Sequence, residues 1–509
     1  VCRDRACATV IETIESTSPA TATMALEPGA YYWRAFAMRD GAVSPQPSPT
    51  WEFFVYRQDA RRPSTIGAVF DCNGDGLADM AVASAGPVER AGHIDVYLGA
   101  RSRALAAPTT LRRADSADGF AASVASAGDV NGDGYIDLIV GASRAILGGD
   151  APGVTGAAFV YHGSASGIAT TPSTTLQAFG PTQQFGRLVL GVGDIDRDGY
   201  SDVAVLSNAM VTVYVGGPSG VQGSGYATFA APVTAESIVS IAAVADTDFD
   251  DRSDTLVTNV ARSDNARAQW LDGDTGWSNP VTSAPVVFAN QARVLSASAA
   301  GDVDGDGFAD LLVGDPDEAL ALDPRGRVAL FRGSAPTNFA APAAILRGSS
   351  PNGRFGFAMA SAGDVDDDGF DDVLIGAPRA EQPRPSTDGG LPDASADLPD
   401  SAAPSCHGGS VSLHRGSSSG LDPAPRWSHW GSATNCDGVG STVSFIGDLD
   451  GDLVGDLAVS APTATVGGRP QAGRVSIFFG GRSIATEPAL VLEGSSIDQR
   501  FGWSIAGGH

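Results

Sequence analysis

One pattern governs this 509-residue chain: an acidic loop of the form D-x-[DN]-x-D-G-x-x-D, followed at once by a short alternating apolar run, recurs seven times. The loops begin at Asp71, Asp129, Asp194, Asp246, Asp302, Asp364 and Asp448, at spacings of 58, 65, 52, 56, 62 and 84 residues. Runs such as DLIVGAS from Asp137 and DVLIGAP from Asp372 follow and read as strands. A second β-rich run ends in a glycine turn, at Gly99, Gly163, Gly216, Gly333, Gly416 and Gly480. A segment often opened by Phe-Gly (Phe185 and Gly186, Phe355 and Gly356) precedes each loop, and a fourth apolar segment, such as PAAILRG ending at Gly348, completes the unit. Four short strands per repeat predict an all-β fold, a seven-bladed β-propeller of four-stranded blades.

The first 58 residues fall outside the repeat. ATVIETI, TATMALEPGAYYWRAFAMR and WEFFVY read as strands, with Leu26, Pro28, Gly29 and Tyr32 spaced like a tyrosine corner. They predict part of an immunoglobulin-like (fibronectin type III-like) sandwich over 1–58, a linker over 59–63 and the propeller over 64–509. Too short for a whole sandwich and starting at Val1, the chain reads as a fragment. At the far end RFGWSIAGGH repeats the Phe-Gly strand, so 501–509 begin an eighth repeat or supply a ring-closing strand. Residues 379–408, rich in Pro, Asp, Ser and Ala, account for the 84-residue spacing and predict a disordered inserted loop.

Hard oxygen ligands at alternate positions of a tight loop suit calcium: side chains at positions 1, 3, 5 and 9 and the backbone carbonyl at 7. Up to seven Ca2+ ions are expected. The candidate ligands are Asp71, Asn73, Asp75, Leu77 and Asp79; Asp129, Asn131, Asp133, Tyr135 and Asp137; Asp194, Asp196, Asp198, Tyr200 and Asp202; Asp246, Asp248, Asp250, Arg252 and Asp254; Asp302, Asp304, Asp306, Phe308 and Asp310; Asp364, Asp366, Asp368, Phe370 and Asp372; and Asp448, Asp450, Asp452, Val454 and Asp456. An EF-hand requires a glutamate at position 12 between helices, whereas Val82, Val140 and Val205 stand there, inside strands. Position 6 is glycine except for Asp251 and Leu453; the Asp448 loop is expected to be the weakest site. Asn73 and Asn131 leave their loops one carboxylate short, which predicts weaker binding there too.

These loops, in register and each followed by a GAP-like strand, resemble the FG-GAP repeats of integrin α-subunit propellers and their bacterial relatives, over roughly Ser64 to His509. The resemblance implies a calcium-bearing β-propeller with ions on one face and partner-binding loops on the other.

A net charge of -27 argues against nucleic acid as a partner, and 26 of the 59 acidic residues lie at loop positions 1, 3, 5 and 9, so the acidity is largely local. No apolar run reaches the length of a membrane helix. All 32 basic residues are arginine, a bias that fits a GC-rich bacterial source. Cys406 with Cys436, and Cys2 with Cys7, are candidate disulfide pairs that leave Cys72 over; connectivity is open at this level. GSSSG at Gly416–Gly420 fits a nucleophile elbow but recurs as GSASG at Gly163, so it reads as the repeat's turn. His93, His162 and His414 read as packed or surface histidines, and Trp427, His429 and Trp430 as edge packing.

The expected function is a non-catalytic adhesion or ligand-binding module that is extracellular or at the cell surface, with an unidentified protein or glycan partner and no catalytic residues. A calcium-dependent polysaccharide lyase or hydrolase, and a passive spacer in a surface protein, are the alternatives.

Overall fold

The computed structural model describes residues 1–2, 9–14, 29–39, 42–47, 51–55, 69–86, 92–113, 118–146, 155–177, 184–196, 198–208, 210–230, 236–244, 254–261, 266–271, 286–287, 296–317, 324–333, 341–382, 407–435 and 437–507. Six four-stranded antiparallel sheets are each built from consecutive strands. That of the Asp129 loop runs Phe120–Gly128, Asp137–Ala142, Ala157–Tyr161 and Thr174–Gln177. The others start at Leu188–Gly193, Glu236–Val244, Ser296–Gly301, Ala358–Gly363 and Val443–Gly447. A composite sheet completes the ring: Phe501–Ala506 pairs with Met80–Ser84, followed by His93–Tyr97 and Thr109–Arg112.

The expectation of seven blades, each read from one repeat, is corrected. Six blades are continuous, whereas the Asp71 repeat has no Phe-Gly strand of its own among the described residues and takes its inner strand from the other end of the chain. Borrowing that strand pairs an edge that would otherwise be open. In the N-terminal segment, Gly29–Trp33 pairs with Trp51–Val55 and Phe36–Arg39 with Ala42–Pro47, two separate two-stranded sheets and no sandwich among the described residues. The Tyr32 hydroxyl donates to the Gly74 carbonyl of the first acidic loop (3.3 Å).

The second strands whose burial is described are buried on both faces, because neighbouring sheets stack against them; DLIVGA and DVLIGA are therefore nearly continuous apolar runs. The outermost strands, TTLQ and AILR, bury one residue in four. The cores lie between sheets. One gathers Ile139 and Val160 with Val189, Val203 and Val213, and another joins Met80, Val82 and Ile505 of the composite sheet to Ala458, Val475 and Ile477. Inner strands surround a central cavity of about 290 Å³ lined by Ser126, Leu190, Ala297, Ser361, Val443 and Ser504 among others. Near its end, the inner strand bulges at a left-handed glycine (Gly128, φ 72°; Gly301, φ 76°; Gly447, φ 70°), which turns the chain into the acidic loop.

Candidate metal centre

The position-1 aspartate organises each of the six described loops. Asp129 accepts from the N–H groups of Gly132 (2.7 Å) and Asp133 (3.1 Å) on Oδ1 and from Gly134 (2.7 Å) on Oδ2. Asp71, Asp302 and Asp448 repeat that pattern, and Asp194 and Asp364 accept from positions 5 and 6. The position-7 N–H, from Leu77, Tyr135, Tyr200, Phe308, Phe370 or Val454, caps the position-5 carboxylate at 2.9–3.1 Å. Leu453 keeps the turn of the glycine it replaces (φ 71° against 86° at Gly134), at a cost of about 1–2 kcal/mol for a side chain in the left-handed region.

Position 9 is a staple within the blade. Asp79, Asp137, Asp202, Asp310, Asp372 and Asp456 have no exposed surface, and their Oδ1 atoms accept from the turn glycines Gly99, Gly163, Gly216, Gly333, Gly416 and Gly480 at 2.8–3.0 Å. Except at Asp372, Oδ2 takes the position-2 N–H of its own loop: Cys72, Val130, Ile195, Val303 and Leu449 donate at 2.9–3.1 Å. Burial, with neighbouring carboxylates adding to it, pushes Asp202 up to about 7, Asp79 and Asp310 to about 8 and Asp372 to about 9, and holds Asp137 and Asp456 well above the usual range.

The loops also join one blade to the next. The position-8 N–H donates to the position-1 carbonyl of the preceding loop: Ile136 to Asp71 (3.2 Å), Ser201 to Asp129 (3.0 Å), Asp371 to Asp302 (3.1 Å) and, across the closure, Ala78 to Asp448 (2.9 Å). The residue after a turn glycine bonds the preceding position-2 carbonyl, as Ser164 does to Cys72 (2.9 Å), Gly217 to Val130 (3.0 Å) and Ala100 to Leu449 (2.9 Å).

Four loops bring three carboxylate oxygens within 4.8 Å of one another: Asp194, Asp196 and Asp202; Asp302, Asp304 and Asp306; Asp364, Asp366 and Asp368; and Asp448, Asp450 and Asp456. That spread fits one hard cation bound at about 2.3–2.6 Å from each oxygen. In the Asp364 loop two buried oxygens, Asp366 Oδ1 and Asp372 Oδ2, have no hydrogen-bond partner, which also fits a cation. In the Asp71 and Asp129 loops the amides of Asn73 and Asn131 donate to Asp75 and Asp133 (2.9 and 3.0 Å), and no three carboxylates converge among the described residues. The Asp448 loop, expected to be weakest, has its three oxygens on buried residues. Asp246, Asp248, Asp250 and Arg252 lie outside the described residues, and Asp254 is described only as the start of the strand Asp254–Ala261.

Three arginines that sequence reasoning passed over meet these clusters: Arg332 at Asp304, Arg415 at Asp366 and Asp368, and Arg103 at Asp450. Two of them stand directly before turn glycines that the repeat singles out, which was their signal.

The remaining candidates are accounted for by packing. Ser418, at the centre of GSSSG, is exposed on a turn closed by Gly420 N–H to Ser417 O (2.7 Å). His414 is buried between Ser412 and the Asp422 carbonyl, and Trp427 and His429 stack on each other and meet Phe478 of the next blade edge-on. His93 sits by Asp95 (3.4 Å) and Gln499. His162 is half-buried, and burial lowers its pKa. Cys72 is a free, buried thiol whose pKa burial raises, which makes it inert. Cys2 is disulfide-bonded, and Cys7, Cys406 and Cys436 lie outside the described residues.

Family models for the FG-GAP-like repeat match residues 71–140, and for the FG-GAP repeat residues 120–161, 294–331 and 355–390. Human integrin alpha-IIb is 43% identical over 86 residues, 15% of this chain and 8% of its own length. Drosophila melanogaster integrin alpha-PS2 is 40% identical over 87 residues, 16% of this chain and 6% of its own. The matched stretch therefore spans less than a tenth of these relatives. A solved structure of BBS1N in complex with ARL6DN, soaked with lead, aligns with 71% of this chain and 80% of its own at 11% identity and a TM-score of 0.41, too low to establish a shared fold.

Proposed function

We propose that this chain, which carries FG-GAP repeats like those of integrin α-subunits, is a non-catalytic, calcium-held module that binds a protein or glycan outside the cell. Calcium would be held by the Asp194, Asp302, Asp364 and Asp448 loops, where it would neutralise converging carboxylates. The chain's own contribution is mechanical. The Asp71, Asp129, Asp302, Asp364 and Asp448 loops are each bonded to the next blade, so fastening them fixes the angle between blades and, with it, the shape of the opposite face.

That opposite face carries the binding reading. In an antiparallel blade the connections after the second and fourth strands lie away from the acidic loops; 350–354 is one such connection, and 144–146 and 379–382 open two others. Large apolar side chains lie exposed on or beside such connections: Ile146 (71%), Ile497 (52%), Trp503 (43%) and Phe357 (37%). Two form the same pair at matching places in their repeats, with Arg354 over Phe357 (4.7 Å) and Arg500 over Trp503 (5.7 Å). Aromatic residues and arginine are the types that anchor protein interfaces. Extracellular calcium, at millimolar levels, would fill sites too weak for the cytosol.

The test is a glycan array and a cell-surface protein capture with the calcium-loaded chain, repeated with Trp503→Ala and Phe357→Ala. Retention of a partner that is lost in both variants and in chelator is expected. Binding that is indifferent to both substitutions would place the partner elsewhere, and no binding in either assay would favour a spacer.

A further inference from the structure

Arg332 Nε lies 3.0 Å from Asp304 Oδ2, and Arg415 Nε lies 3.1 Å from Asp366 Oδ2 and 2.6 Å from Asp368 Oδ2. Both arginines directly precede the turn glycine that the position-9 aspartate holds, Gly333 or Gly416. In the Asp448 loop that place is taken by Phe479, which carries no charge. There Arg103 arrives from the composite sheet, lies over the Phe479 ring (4.7 Å) and sets its Nε 2.6 Å from Asp450 Oδ2, with Nη2 3.4 Å from Asp452. Two unrelated chain positions thus deliver a guanidinium to the same oxygen, Oδ2 of position 3. Before Gly99, Gly163 and Gly216 stand Leu98, His162 and Val215, and no ion pair reaches Asp194, Asp196 or Asp202 among the described residues.

We propose that Arg103, Arg332 and Arg415 are resident counter-cations: they hold the Asp448, Asp302 and Asp364 loops together when no metal ion is bound, and they weaken metal binding in those loops. The inference rests on the calcium reading above. Like-charged carboxylates within 4.8 Å repel, and a guanidinium relieves that repulsion. The arms are displaceable. Their side chains are 39–55% exposed, and neither Arg415 Nε nor Asp450 Oδ2 makes an aligned hydrogen bond despite the short contact. The Asp364 loop has further positive charge nearby, from Arg426 (3.7 Å to Asp366) and Arg482 (3.9 Å to Asp367).

The experiment follows the melting temperature of the whole chain while calcium is titrated from chelator upward, for wild type, the R103Q/R332Q/R415Q variant and the corresponding triple lysine variant. Expected for the glutamine variant are a lower melting temperature in chelator and a calcium midpoint shifted about threefold lower, the scale of exposed ion pairs. Lysine keeps the charge and should restore wild-type behaviour. An unchanged or higher midpoint beside an ordinary wild-type calcium response would overturn the metal half of the proposal, and an unchanged melting temperature in chelator would overturn the counter-cation half. A wild type blind to calcium would instead sink the calcium reading and the metal half with it, leaving the chelator result to decide the rest. If the triple variant does not fold, the single substitutions R332Q and R415Q carry the same test.

Discussion

Removing residues 501–509 is expected to abolish cooperative melting of the propeller or to lower its midpoint by at least about 10 °C. Phe501–Ala506 forms the inner strand of the composite sheet, with Ile505 opposite Val82 and Ala506 opposite Ala81. Phe501 and Ile505 are buried, each side chain contributing about 1.5–3 kcal/mol. The truncation would also leave the edge of Met80–Ser84 unpaired, a site for pairing with another chain. The truncated chain should therefore aggregate, and the segment supplied as a separate peptide should partly restore the midpoint. A truncated chain that melts like wild type would show that the ring does not need this closure.

The second large effect is expected from Asp137→Ala measured in chelator, where no ion is at stake. Asp137 accepts from Val130 N–H (3.0 Å) and Gly163 N–H (2.8 Å) and has no exposed surface, so alanine strands two buried donors. At about 1–3 kcal/mol for each unsatisfied group, the loss is about 2–6 kcal/mol. Asp133→Ala, which removes an exposed position-5 carboxylate bonded to Tyr135 N–H, should cost about 1 kcal/mol under the same conditions. Equal midpoints for the two variants would mean that position 9 is only a ligand and not a staple.

Local features of this molecule were legible in its sequence and tertiary ones were not. Glycines and aspartates at fixed offsets dictate a loop whose turn, caps and left-handed residues lie within nine positions, and even the exception at Leu453 follows the rule. The runs behind the loops declare strands, but their reading as alternating missed that both faces are buried, because the sheets that cover them come from other repeats. The partner of each position-9 aspartate is another matter, because Gly163 and Gly416 are 26 and 44 residues away and nothing local marks their N–H groups. Arg103 is further still, some 350 residues from the loop it enters, and depends on the ring closing. Closure itself turned on one strand that the sequence left with two readings, and nothing local announces that the Tyr32 hydroxyl reaches the Gly74 carbonyl of the first loop.

The claim that these loops are cation-dependent joints between blades makes a prediction about pH that few alternatives share. In the folded chain without metal, Asp202, Asp310 and Asp372 hold their protons up to about pH 7, 8 and 9, whereas in the unfolded chain they release them near pH 4. The folded state then binds more protons across that window, so its stability falls as pH rises through it. A cation removes this dependence, because it holds the folded carboxylates deprotonated, the form they already have in the unfolded chain above about pH 5. Melting of the intact chain at pH 5.5 and pH 8, in chelator and in millimolar calcium, tests this directly. The expected result is a midpoint that drops with pH in chelator and stays level with pH in calcium, giving the largest separation at pH 8. Midpoints that track each other with and without calcium at both pH values would contradict the account.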